Sequence, residues 1–121
     1  MKTFIIILSW NNKKDTLDCL ESLTKTSGDF GMILVDNGSK DGSPEVIKKR
    51  FPNVDLLELP ENTGFCHANN LGIKRAIKKG GKNFILLNND TIVEKNLVLE
   101  LDKTSENKLE ITFCRIILNE I

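Results

Sequence analysis

Five short apolar runs punctuate the chain, and a polar loop follows each of the first four. Phe4 to Leu8 is uninterrupted, as expected of a strand covered on both faces. Met32 to Val35, Val54 to Leu59 and Phe84 to Leu87 repeat the pattern, and Ile111 to Leu118 reads as a last strand. Between the runs the spacing turns helical. Leu17, Leu20 and Leu23 recur after a start at Asn12 or Asp15, with Cys19 alongside Leu23, until Gly28 breaks the segment. Ser43-Pro44-Glu45 predicts a second helix start. The Ser43 hydroxyl would accept from a free N–H, Pro44 would supply the first-turn φ, and Glu45 would complement the helix dipole. That helix ends before Pro52. A third leaves Gly64 with Ala68, Leu71, Gly72 and Ala76 on a small-residue face and stops at Gly80-Gly81. A fourth covers Asn96 to about Ser105.

The order β-α-β-α-β-α-β-α-β predicts an α/β fold, Rossmann-like, with a mostly parallel sheet and helices on both faces. Residues 1–121 suffice for one such domain with a real core. Parallel sheets of this kind bind ligands in the crevice beyond the carboxyl ends of their strands. The polar loops therefore matter more than the core, because the architecture by itself hosts unrelated functions.

Composition removes several classes. The 17 basic residues balance 17 acidic ones and aromatic content is 6%, so neither a basic field nor a base-stacking platform points to nucleic acid. Cys19, Cys66 and Cys114 are an odd number with no CxxC pair, the usage of reduced thiols in a cytoplasmic protein. Only His67 could join them in a zinc site, and no ligand spacing fits. Lys2 and the run Phe4 to Leu8 are too short for a signal peptide, and nothing approaches the roughly 20 apolar residues of a membrane span.

Ser9-Trp10-Asn11-Asn12 stands after the first strand, where a GxGxxG or a lysine phosphate loop would be needed for a nicotinamide or P-loop enzyme. A receiver-like site would want an acidic pair at the same place. With one histidine and no G-x-S-x-G elbow, catalytic triads are unsupported. Asp36, at the head of Asp36-Asn37-Gly38-Ser39-Lys40-Asp41-Gly42, can accept from a base N–H or a ribose hydroxyl. Asp36 or Asp41 can equally serve as a turn residue or helix cap. The strand Phe84 to Leu87 runs into Asn88-Asn89-Asp90 and is expected to resume as Ile92-Val93. Asp90 there is placed to hold a metal ion or a ligand's polar group.

Five blocks in order make the chain resemble the N-terminal half of a family 2 glycosyltransferase, the inverting GT-A type that uses nucleotide sugars. They are Ile5-Ile6-Ile7-Leu8-Ser9-Trp10-Asn11, Leu34 to Gly42, Glu61-Asn62-Thr63-Gly64-Phe65, Ala68 to Ile73, and Leu86 to Thr91. The resemblance implies that Ser9 and Asn11 line the nucleotide pocket and that Asp36, in the loop turned by Gly38, accepts from the pyrimidine N–H. It places Asn62 and Gly64 beside the nucleotide and its phosphates. Asp90 matches the last carboxylate of a DxD-type motif, whose divalent cation (Mn²⁺ or Mg²⁺) bridges the diphosphate and offsets the charge that builds on the leaving group.

Two positions depart from the family's pattern. Asn88-Asn89-Asp90 carries one negative charge where the family often has two or three, so a weaker metal site is expected, with Asn88 offering a carbonyl oxygen or a bond to ribose. Asn69, which the resemblance puts among the nucleotide-binding positions, stands where many members have arginine, which removes a guanidinium contact. Such variants resemble rhamnosyltransferase-like members, and a UDP- or dTDP-sugar donor is the corresponding expectation.

In the family, the acceptor site and the catalytic base lie beyond the metal motif, so the chain is expected to lack both. The catalytic residue is therefore unassigned, and Glu94, Glu100, Asp102, Glu106 and Glu110 read as a solvated face. The acceptor would be a glycan, lipid-linked or polysaccharide molecule, and the full-length form would associate peripherally with a membrane. A different reading keeps the fold as a non-catalytic module, forming a homo-oligomer or partner assembly through an uncovered surface.

Overall fold

The computed structural model describes residues 3–102 and 110–114, with Asp102 and 110–114 described by backbone alone. Five parallel strands form one sheet in the order β3-β2-β1-β4-β5: β1 Thr3–Ser9, β2 Phe30–Asp36, β3 Asp55–Glu58, β4 Asn83–Asn88 and β5 Glu110–Cys114. Between them lie α1 Lys13–Thr24, α2 Ser43–Arg50, α3 Phe65–Lys78 and α4 Leu97–Asp102. The expected last strand is present from Glu110, and its predicted end at Leu118 lies outside the described residues, as does the end of the fourth helix near Ser105.

The uninterrupted run of β1 is explained by burial on two sides. Ile5 and Ile7 enter one core with Leu34, Ile85 and Leu87, closed by Cys19, Leu20 and Leu23 of α1, Ile47 of α2 and Val98 of α4. Phe4 and Ile6 enter the other with Ile33, Val35 and Phe84, closed by Ala68 and Ala76 of α3. A side-chain period of two thus serves two cores from one strand. α3 comes close because its packed face is small. A Cβ on Gly72 would stand 2.6 Å from Ile6 Cγ2 and 3.0 Å from Val35 Cγ2. Arg75 and Lys79 then fasten α3 to β3 through Asp55, with Arg75 Nε donating to Asp55 Oδ2 at 2.7 Å.

Two local expectations need correction. The Ser43 hydroxyl does not cap α2: it is buried without a partner among the described residues, and Asp41 Oδ1 accepts from Ser43 N at 3.0 Å. Gly42, at φ +79°, turns the chain so that the carboxylate two residues upstream reaches the free N–H. Ile92-Val93 does not resume a strand. That segment is irregular, and Val93 packs into the core beside α1 while its N–H donates to Ser22 Oγ at 3.1 Å.

Candidate functional site

The strand order reverses direction between β1 and β4, since the chain steps outward from β1 through β2 to β3 and then crosses by α3 to β4. Beyond the carboxyl ends at such a switch point, loops from both halves face one crevice. Register places Ser9 beside Asp36 and Leu8 beside Asn88, so three of the expected site residues end adjacent strands at one level.

Asp36 is the best-defined of them. It is 2% exposed, and Oδ2 accepts from Ser39 N at 2.9 Å, which closes the turn that the sequence suggested. Oδ1 is buried and has no partner among the described residues. A buried carboxylate oxygen left unpaired is costly. It lies at the carboxyl end of β2, an acceptor that no described residue uses.

Amide side chains join the loops around it. Asn11 and its neighbour Asn12 both adopt positive φ, 55° and 52°, a conformation that asparagine tolerates better than most residues. Asn11 N donates to Ser39 Oγ at 2.7 Å, and Asn11 Oδ1 accepts from Lys40 N at 2.9 Å. Asp41 completes this seam, with Oδ2 accepting from Lys13 N at 2.9 Å while Oδ1 caps α2. One carboxylate therefore satisfies the starts of two helices. Partial burial alone would raise the Asp41 carboxyl, but the bonds from Ser43 and Lys13 outweigh it and hold the group below its ordinary value.

On the other side, Asn37 Nδ2 donates to Asn62 Oδ1 at 3.1 Å, and Asn37 Oδ1 accepts from Thr63 N at 2.9 Å. Asn62 Oδ1 also accepts from Gly64 N at 2.9 Å, which fixes the entry to α3. Gly38, at φ +83°, permits this approach: a Cβ there would lie 2.6 Å from the Glu61 carbonyl carbon. Asn62 and Gly64 are thus joined to the Asp36 loop.

The remaining expected residues differ in what they touch. Ser9 is fully buried, and its hydroxyl lies 3.3 Å from Thr16 Oγ1. Asn69 is also buried, and its amide donates along its own helix to Phe65 O at 3.1 Å. Asn88 is half-buried and its side chain has no hydrogen bond among the described residues; Asp90 is exposed and has neither hydrogen bond nor ion pair there. Among the described residues no group of three His, Cys, Asp or Glu side chains could hold a metal ion.

Sequence reasoning missed three members of the site. Trp10 is 52% exposed and directly follows Ser9, the β1 residue paired with Asp36. It is the chain's single Trp, and its place inside a polar tetrapeptide was the available signal. Asn37 and Asn89 carried no local signal, because their partners are 25 to 27 and 73 to 78 residues away in sequence.

The model of glycosyl transferase family 2 matches residues 4–118. The chain belongs to this family. It is 28% identical to the uncharacterized glycosyltransferase YfnE of Bacillus subtilis, over all of this chain and 31% of that protein. Among solved structures, S. aureus TarS 1-349 in complex with UDP superposes with a TM-score of 0.75 at 23% identity, covering 85% of this chain and 31% of that one. The mannosyltransferase PcManGT of Pyrobaculum calidifontis, in complex with GDP-Man and Mn²⁺, gives a TM-score of 0.78 at 18% identity, over 88% of this chain and 32% of its own. These structures establish the GT-A fold. The chain spans 11% to 35% of the length of the first curated relatives it matches. Among the described residues no helix is long and apolar enough to cross a membrane.

Proposed function

We propose that residues 1–121 form a nucleotide-sugar-binding domain that holds the donor of a glycosyl transfer, with UDP or dTDP as the nucleoside diphosphate. The observation that carries this reading is Asp36: a buried carboxylate with one oxygen fixed by Ser39 N and the other unpaired. Uracil and thymine each present one ring N–H, and a carboxylate oxygen is its natural acceptor. Trp10 offers a π face for the base, of the kind that supports stacking without reading sequence. The start of α3, fixed by the bond from Gly64 N to Asn62 and free of acidic residues in its first turn, would receive the diphosphate.

Asp90 would hold a divalent cation, Mn²⁺ or Mg²⁺, together with the diphosphate oxygens, and Asn88 would offer its amide oxygen or bond a ribose hydroxyl. When bound, the cation offsets the negative charge that builds on the departing nucleoside diphosphate. The chain's own part is to orient the donor: Asp36 fixes the base, and the Asn37 bonds fix the Asn62–Gly64 loop. With one carboxylate, cation affinity should be weak until nucleotide supplies the remaining ligands. The sugar acceptor, a glycan or a lipid-linked molecule, and the catalytic base belong to the whole protein. The buried Cys19 and exposed Cys66, both free thiols, fit a cytoplasmic setting.

Calorimetric titration of the folded chain with UDP, dTDP and GDP tests this reading. UDP or dTDP should bind, more tightly with Mn²⁺ present than without it. No heat from any of the three with metal present would overturn it.

A further inference from the structure

Within Asn88-Asn89-Asp90 the middle residue faces away from its neighbours' chemistry. Asn89 Nδ2 donates to Thr16 Oγ1 of α1 at 2.9 Å and approaches Asn11 O at 3.5 Å. Thr16 is fully buried, and its hydroxyl reaches Asn12 O at 3.2 Å and Ser9 Oγ at 3.3 Å. A hydroxyl has one hydrogen and two lone pairs. With the hydrogen directed to Asn12 O, Thr16 Oγ1 accepts from Ser9 and from Asn89, and its capacity is full. The amide orientation of Asn89 follows, because its reverse would set an oxygen against the Asn11 carbonyl.

We propose that Asn89 is a positioning residue: its amide fastens the Asp90 loop to the β1–α1 loop, and a carboxylate at 89 would weaken the cation site instead of adding a ligand to it. The reason is geometric. An aspartate at 89 would set a carboxylate oxygen against Asn11 O, and it could keep Thr16 only if that hydroxyl turned its hydrogen away from Asn12 O. Acceptor facing acceptor at Asn11 O is repulsive at a part-buried position, and the two donor hydrogens that the Asn89 amide supplied are lost. The Asp90 loop would then move from α1, and the ligand at Asp90 with it. Asn88 is the contrasting case in the same motif. Its side chain has no hydrogen bond among the described residues, so an aspartate there loses nothing and gains a carboxylate near Asp90.

This inference rests on the donor-site reading for its cation, and two measurements keep the two separable. The first needs no ligand: a double-mutant cycle of Asn89→Ala and Thr16→Val in urea unfolding. The pair should be non-additive by roughly fivefold in the folding equilibrium constant, as expected for one buried hydrogen bond. Additive effects would overturn the proposal, whatever the nucleotide does. The second follows the Mn²⁺ concentration at which UDP binding is half enhanced, in Asn89→Asp and Asn88→Asp. These variants change net charge equally, yet the midpoint should rise by roughly tenfold in the first and fall in the second. A fall or no change in Asn89→Asp would overturn the proposal. If the unaltered protein shows no enhancement by Mn²⁺, the donor-site reading fails, and the unfolding cycle still decides whether Asn89 holds the loop.

Discussion

At the residue scale, the two oxygens of a carboxylate are used differently at Asp36 and at Asp41. Asp36 gives Oδ2 to the turn and keeps Oδ1 free, whereas Asp41 gives both oxygens to helix starts. Asp41 should therefore matter to stability in a pH-dependent way. Its carboxyl lies below the ordinary value in the folded protein, so its contribution is present above the unfolded pKa and is lost as pH falls through the folded one. Urea unfolding between about pH 6 and about pH 3 should show the unaltered protein losing more stability than Asp41→Asn, whose side chain does not titrate. Parallel losses would contradict the double capping. The sequence made Asp36 legible as an acceptor and left open whether either aspartate was a cap. That choice depended on Gly42 at φ +79° and on Lys13 N, which comes from 28 residues away.

At the element scale, the strands and helices were largely readable, because hydrophobic runs and turn residues report local burial directly. The runs at Phe4, Met32, Val54 and Phe84 each mark an observed strand, with ends that differ by one or two residues. What could not be read was which elements meet. The irregular path of Ile92-Val93 follows from Ser22 on α1, which no local pattern shows. The same holds for the loop bonds of Asn37 and Asn89. Gly72 is an intermediate case: the small-residue face was visible, but the closeness of β1 was not. Gly72→Ala should destabilise the fold. Overpacking against the fully buried Ile6 costs about 1–3 kcal/mol, of which the helix preference for alanine returns up to about 1. A lowered urea midpoint is expected, and a raised one would contradict the close packing of α3 on β1 and β2.

At the scale of the whole molecule, α1 lies behind both halves of the crevice. Cys19 marks that junction, with its thiol 3.6 Å from Thr91 Oγ1 and the residue fully buried. Burial pushes the thiol up to about 11, so it should resist alkylation in the native state, while the exposed Cys66 reacts. Mass mapping after brief labelling checks this, and equal labelling of the two would show α1 loosely held. The central claim concerns recognition, and it rests on Asp36 Oδ1. An asparagine at 36 replaces one of the two carboxylate oxygens by an NH2 group, so either Ser39 N–H or the base N–H would face a donor in place of an acceptor. CDP provides the control, because cytosine lacks the ring N–H. The decisive measurement is the ratio of UDP to CDP affinity in the unaltered protein and in Asp36→Asn, with Mn²⁺ present. The ratio should exceed roughly tenfold in the former and collapse toward unity in the latter. Equal ratios in two folded proteins would contradict the assignment of Asp36 as the group that reads the base.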